Sequence, residues 1–415
     1  MIYKSLFVLG RTPGIGRAEL ESLYGAGHFV PAGDFAMLSD LPVADVDFRR
    51  LGGTVKLARV VGTLAGGATN AGTGSGARSS SSPQPHWRAV QNELSKHAVA
   101  LAQDVSEGKI QLGVSVYGVS ANPRQLLAAG LEIKKALRGH GYSVRLVPNQ
   151  ETALSSAQVL HNHLTGERGI ELIAVQHGSE VVMGRAVAVQ DITAYAARDQ
   201  NRPKRDAFVG MLPPKLAQTI VNLGTGALPA GPGHVVLDPF CGTGVILQEA
   251  ALTGYGMYGT DLETRMVDYS EKNLAWLAER AAPHHLASPT LEVGDATTHR
   301  WDSPFSVIAS ETYLGRPLSS WPGADKLHDI TGTCNVIIEK FLRNLAAQTK
   351  PGLRLCLAVP AWRAPDGRIH HLPLLDHLGE MGYNRISFEH AGGADLVYFR
   401  PDQLVARELL VITRN

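Results

Sequence analysis

Cysteine is scarce. Cys241, Cys334 and Cys356 are the three in 415 residues, far apart and without metal-ligand spacing. This excludes a disulfide-stapled scaffold and a zinc arrangement, and predicts a protein of the reducing cytoplasm with no bound metal. No apolar run approaches the roughly 20 residues that a membrane-spanning helix needs. Residues 1–10 lack the layout of a secretory signal, so no membrane association is expected. An excess of one charge is missing too: 39 Lys and Arg against 38 Asp and Glu leave a formal net charge of +1. A nucleic-acid partner would have to be met by local basic patches rather than by a global field. What is present, 44% hydrophobic and 19% charged residues, fits a globular protein. The chain is too long for one ordinary core and points to two or three domains.

The most informative stretch is 234–261, HVVLDPFCGTGVILQEAALTGYGMYGTD. Val235-Val236-Leu237 reads as a buried strand. It ends in DPFCGTG, a turn in which glycine lets the backbone approach a ligand closely. An apolar helix follows, stopped by Gly254, and a second strand delivers Asp261 to its tip. Such a unit binds nucleotides at the carboxyl ends of its strands. A dinucleotide fingerprint would need a third glycine, but Leu247 stands there. One acidic residue before the turn and one after the second strand suit a ligand with an amino-acid end and a ribose. Asp238 can hold an ammonium and Asp261 can accept both ribose hydroxyls, which predicts S-adenosylmethionine. DPFCGTG resembles motif I of the Rossmann-like methyltransferases, and Asp238, Phe240, Gly242, Gly244 and Asp261 are the expected cofactor residues.

In chain order, residues 1–65 read as a small α+β segment and 66–85 as a flexible low-complexity Gly/Ser insertion. Residues 86–192 form a second α+β unit, with a helix over 123–138 and a hairpin around His177-Gly178-Ser179. Residues 193–223 are a basic linker and a helix, and 224–415 a mainly parallel, seven-stranded Rossmann-like α/β domain. SVYGVSANPRQLLAAGLEIKKALRGHGYSVRLV and VVMGRAVAVQD resemble the THUMP module. GMLPPKL and YFRPDQLVARELLVI are similar to segments of the THUMP-containing tRNA guanine methyltransferases. The resemblance implies tRNA as partner, with Lys134, Lys135 and Arg138 on one helix and Arg202, Lys204 and Arg205 in the linker as phosphate contacts. By itself the basic helix face reads more readily as a solvated face, while the linker cluster, whose bland reading is a charged interdomain linker, leans towards a phosphate-holding hinge. In the same family Asp295, after a strand over 290–293, would meet the adenine amine.

The tip of the fourth strand carries the largest departure. The family string there is close to FDAIVTDPPYG, in which an acidic residue and an aromatic handle a base amine. This chain has FSVIASETYLG over 305–315, so Glu311 takes the carboxylate position and Thr312-Tyr313-Leu314 replaces Pro-Pro-Tyr. Ser310, Glu311 and Tyr313 are the candidate catalytic residues, and Arg316 a candidate phosphate contact. Three readings stand open: a working variant, a site retuned to another nucleotide, or lost methyl transfer. Neither Cys334 nor Cys356 is placed for a carbon-five cytosine nucleophile. His284-His285 and His370-His371 lack further spaced ligands and read as loop residues.

The sequence thus predicts a cytoplasmic, S-adenosylmethionine-dependent tRNA methyltransferase acting on the exocyclic amine of a guanosine near position ten. It is expected as a monomer or weak dimer, and a small activator subunit, needed by some relatives, stays open. The alternative is a catalytically inactive or partner-dependent THUMP RNA-binding protein.

Overall fold

The computed structural model describes residues 1–66, 85–105, 107–206, 212–280, 286–318, 320–400 and 403–415. The low-complexity insertion (but for its two end residues), His284-His285, and Gly210-Met211 of the pre-motif segment therefore lie outside the described residues. The described chain divides into two compact units. One is Met1–Pro13, Gly27–Arg49 and Thr54–Ile192; the other is Gly14–Ala26, Arg50–Gly53 and Thr193–Asn415. Among the described residues no helix is long and apolar enough to cross a membrane.

The helix α1 (Pro13–Tyr24) falls, after Pro13, in the second unit. The first unit is built on one sheet of β1 (Ser5–Leu9), β2 (Phe29–Ala32), β3 (Ala36–Ser39), β4 (Thr54–Ala65), β5 (Lys109–Tyr117), β6 (Ser143–Leu146), β7 (Gly169–His177) and β8 (Glu180–Val189). Their order is β2-β3-β1-β4-β8-β7-β5-β6. The sequence separates 1–65 from 86–192, but the antiparallel β4–β8 pairing joins both into a single sheet. Pairing of that kind is set by residues over a hundred positions apart, which local pattern does not reveal. The helices α2 (Trp87–Ala102), α3 (Pro123–Gly139) and α4 (Ser156–His161) belong to this unit. A capping box between Asn122 and Gln125 starts α3, satisfying backbone donors that the first turn leaves open. The expected hairpin is present, with His177 opposite Glu180.

The second unit opens with α5 (Ile192–Gln200, from Thr193) and α6 (Pro214–Thr225). It continues through β9 (Val235–Asp238), α7 (Val245–Leu252), β10 (Gly256–Asp261), α8 (Thr264–Arg280), β11 (Thr290–Val293), β12 (Val307–Glu311) and α9 (Ala324–Gln348). The last strands are β13 (Arg354–Arg363), β14 (Ile369–His370), β15 (Tyr383–Arg385), β16 (Val397–Tyr398) and β17 (Val405–Arg414). The main path has seven strands, β11-β10-β9-β12-β13-β17-β15, with β14 and β16 as side pairings. The first five run parallel, and β17 enters antiparallel to β13. This is the α/β architecture expected. The helix-strand alternation stops after β13, where short 3-10 turns at Pro373–Asp376 and Leu378–Met381 replace a helix. β9 is central, so its carboxyl end lies where strand order reverses, the position at which such sheets take ligands.

Candidate active site

β9 is short and apolar, and it delivers Asp238 almost fully buried, 1% exposed. The chain then turns through Gly242 and Gly244, both left-handed, at φ +51° and +79°. A Cβ on Gly244 would come within 2.9 Å of Ser270 Oγ and 3.2 Å of its Cα, so turn and helix packing both require glycine there. Asp261, at the tip of β10, accepts from Gly242 N at 2.9 Å and from Glu263 N at 3.0 Å. Each carboxylate oxygen keeps a further lone pair for a ligand hydroxyl. Gly294 N donates to Asp261 O at 2.9 Å, which draws the next tip alongside. Beyond it Asp295 is exposed, its Oδ1 accepting from Thr297 N and Oγ1. Phe240 is half-buried, edge-on to Phe341 at 5.2 Å between ring centroids.

β12 brings the second half of the site. Ser310 Oγ donates to Asp238 Oδ1 at 2.6 Å and is itself fully buried. Ser310, expected among the catalytic residues, is here engaged with Asp238 and holds its carboxylate in place. Burial pushes the Asp238 carboxyl up to about 8, with the bonds from Ser310 and Phe240 N pulling it back. The next residue, Glu311, reaches Arg407 on β17, Nε to Oε1 2.5 Å. Their side chains are 14% and 5% exposed. Burial raises the Glu311 pKa, and the Arg407 charge and hydrogen bond lower it. Thr312 N donates to Ala358 O at 3.0 Å, a bond that a proline in its place could not make. Its hydroxyl reaches the same carbonyl at 3.3 Å. Tyr313 is 37% exposed beside this tip. Gly315 turns at φ +83°.

Sequence reasoning missed Arg407. Its signal was a charged pair, Arg407-Glu408, inside an otherwise apolar strand, both nearly fully buried. Charges so placed are almost always partnered. Of the basic candidates, Lys135 and Arg138 are exposed on α3 and Lys134 half-buried, opposite the buried face of Leu126, Ile133 and Leu137. Arg205 and Arg316 are exposed, and Lys204 is half-buried with its ammonium 5.3 Å from the Tyr269 ring centroid. Arg202 is 3% exposed, so it does not present a surface phosphate contact, which corrects that expectation. The His370 ring lies 5.6 Å from Trp321 and His371 bonds Glu408. All three cysteines are buried and free, and burial raises each thiol's pKa.

This arrangement can be set beside known proteins. The crystal structure of TrmN from Thermus thermophilus superposes over the full length of both chains, with a TM-score of 0.51 and 19% identity. The DNA methylase family model matches residues 149–272. The fold is that of a methyltransferase. A tRNA (guanine(10)-N2)-dimethyltransferase of Methanothermobacter thermautotrophicus is 32% identical over 167 residues, 39% of this chain and 43% of that protein. One from Methanocaldococcus jannaschii is 42% identical over 77 residues, 18% and 21% of the two chains. The chain thus matches less than half the length of these curated relatives, and over the matched stretch it is related to tRNA guanine methyltransferases. The donor set fits an adenosyl amino acid: a buried carboxylate without a cation partner among the described residues, a left-handed glycine turn beside it, and carboxylates on successive strand tips.

Proposed function

We propose that this protein is an S-adenosylmethionine-dependent tRNA methyltransferase that modifies the exocyclic amine of a guanosine near position ten. The observation that carries the reading is the hydrogen bond from Ser310 to Asp238, which ties the glycine turn to the tip bearing Glu311 and Tyr313. When bound, S-adenosylmethionine supplies an electrophilic methyl group on its sulfonium. Asp238 would hold its ammonium, Asp261 its ribose hydroxyls and Asp295 its adenine amine, with Phe240, Gly242 and Gly244 shaping the turn.

Exocyclic amines are weak nucleophiles because their lone pair is shared with the ring. Tyr313, exposed at the tip, would stack on a flipped guanine. Glu311 Oε1 is held by Arg407, which leaves Oε2 to accept a hydrogen bond from the amine and then its proton. An ion-paired carboxylate is a weak base, and a weak base suffices here. The proton leaves a nitrogen that carries positive charge once methylated, and such a nitrogen is a strong acid. Positioning supplies the larger part of the rate. Lys134, Lys135 and Arg138 of the first unit, with Lys204, Arg205 and Arg316 of the second, would contact tRNA phosphates. The ion pair at Glu311 also gives the second reading its support: with one oxygen engaged, the site would be inactive or need a partner subunit.

Glu311→Gln separates the two readings. An enzyme loses at least about a hundredfold in kcat while tRNA affinity, measured by filter binding, stays within twofold. Methyl transfer unaltered by Glu311→Gln would remove Glu311 from the mechanism.

A further inference from the structure

Arg202 is buried, and among the described residues no carboxylate hydrogen-bonds it, although Asp199 and Glu249 lie near enough to act on its charge. Among the described residues its Nε and Nη1 are buried without a hydrogen-bond partner, and the residue is 3% exposed. Its surroundings are fixed from both sides. Four residues earlier, Arg198 grips Glu249 of α7 through both carboxylate oxygens, at 2.7 and 3.2 Å. Two residues later, Asn273 of α8 holds Lys204 N and O, each at 2.9 Å, and the same amide donates to Thr243 O in the glycine turn at 2.8 Å. Arg202 therefore lies in a segment pinned to the first turns of α7 and to the turn between Asp238 and Gly244. Burial lowers its pKa, Asp199 and Glu249 raise it, and Arg205 lowers it. Glu249 is taken by Arg198, so the Arg202 guanidinium keeps a desolvated charge without a hydrogen-bonded anion. Such a charge is strongly unfavourable unless an anion completes it.

We propose that Arg202 receives the carboxylate of the amino-acid end of the cofactor, opposite Asp238, which receives its ammonium. This rests on the S-adenosylmethionine reading above and adds to it the group that recognises the carboxylate. An α-amino acid presents both charges on one carbon, so a dry site needs one residue of each sign at the same turn. Asp238 begins this turn, and the Asn273 bridge brings the Arg202 segment to its end. A guanidinium fork matches a carboxylate through two parallel bonds. At 3% exposure it does not offer a surface to a phosphate of an RNA backbone.

The test is calorimetric titration of the full chain with S-adenosylhomocysteine and with its decarboxylated analogue, which keeps the ammonium. Wild type should bind S-adenosylhomocysteine roughly ten- to a hundredfold more tightly than the analogue, the range of a charge-assisted bond. In Arg202→Met that ratio should fall to near one, with the affinity for the analogue unchanged, which also reports an intact pocket. Arg202→Lys should recover part of the ratio. An unchanged ratio in Arg202→Met overturns the proposal, and so does a wild type that binds both ligands equally, whatever the variants do. Loss of tRNA affinity with the ligand ratio preserved would assign Arg202 to RNA and overturn it as well. Failure of wild type to bind either ligand would instead remove the cofactor reading on which the proposal stands.

Discussion

Asp238 is the residue whose chemistry the fold alters most usefully. Its carboxyl is raised from 3.8 to about 8, chiefly by burial. A value raised on folding means that ionisation opposes the folded state. Its contribution to stability is fully present below about pH 4 and is lost as the pH climbs through 8. A ligand ammonium selects the ionised form, so S-adenosylhomocysteine should bind more tightly as pH rises, by up to about tenfold per unit below 8, and level off above it. Titration calorimetry from pH 6 to 9 reads this directly, and a flat profile in wild type contradicts it. Ser310→Ala removes a donor that favours the ionised carboxylate and should move the bend upward. Arg407→Met should strand Glu311 as a buried carboxylate, costing about 3 kcal/mol in chemical denaturation. It should also shift the acidic limb of the pH–rate profile upward. Retention of wild-type stability and an unmoved limb would show that the pair is not coupled. None of these links was legible at residue level. Asp238 and Glu311 could be found from their own neighbourhoods, whereas Arg407 is placed by the antiparallel register of β13 and β17.

At the scale of elements, the β9–turn–α7–β10 unit could be read because each signal is local: a β-branched run, glycines at the turn, an apolar helix, then a carboxylate. The turn's requirement can be tested. Gly244→Ala places a Cβ in a left-handed residue against Ser270, and should cost about 1–2 kcal/mol and weaken S-adenosylhomocysteine binding at least about tenfold. A variant with unaltered melting temperature and affinity would mean that the turn relaxes freely. The region after β13 was less legible: β15 keeps three residues, Tyr383–Arg385, and is placed by its pairing with β17. α1 falls within the segment 1–65 that the sequence reads as one α+β piece, and its place in the second unit was not legible. It belongs there because Glu19, fully buried, accepts from Gly52 N, Gly53 N and Asn222 Nδ2, partners distant in sequence.

At the scale of the whole molecule, the β9 to β13 part of the second unit follows from alternating elements that a βαβ sequence shows, whereas the first unit's single sheet depends on the distant β4–β8 pairing. The substrate is a different matter, because it rests on the tip of β12 and on relatives matched over less than half their length. Glu311 and Thr312 show how a tip lacking both prolines can still be held: Arg407 fixes the carboxylate and a backbone bond to Ala358 fixes the next residue. The decisive measurement is incubation of the purified full chain with isotope-labelled S-adenosylmethionine and unmodified tRNA, followed by nucleoside mass spectrometry. Labelled N2-methylguanosine is expected, lost in Glu311→Gln. Absence of any labelled nucleoside, in a preparation that binds both S-adenosylhomocysteine and tRNA, would contradict catalysis by this chain alone.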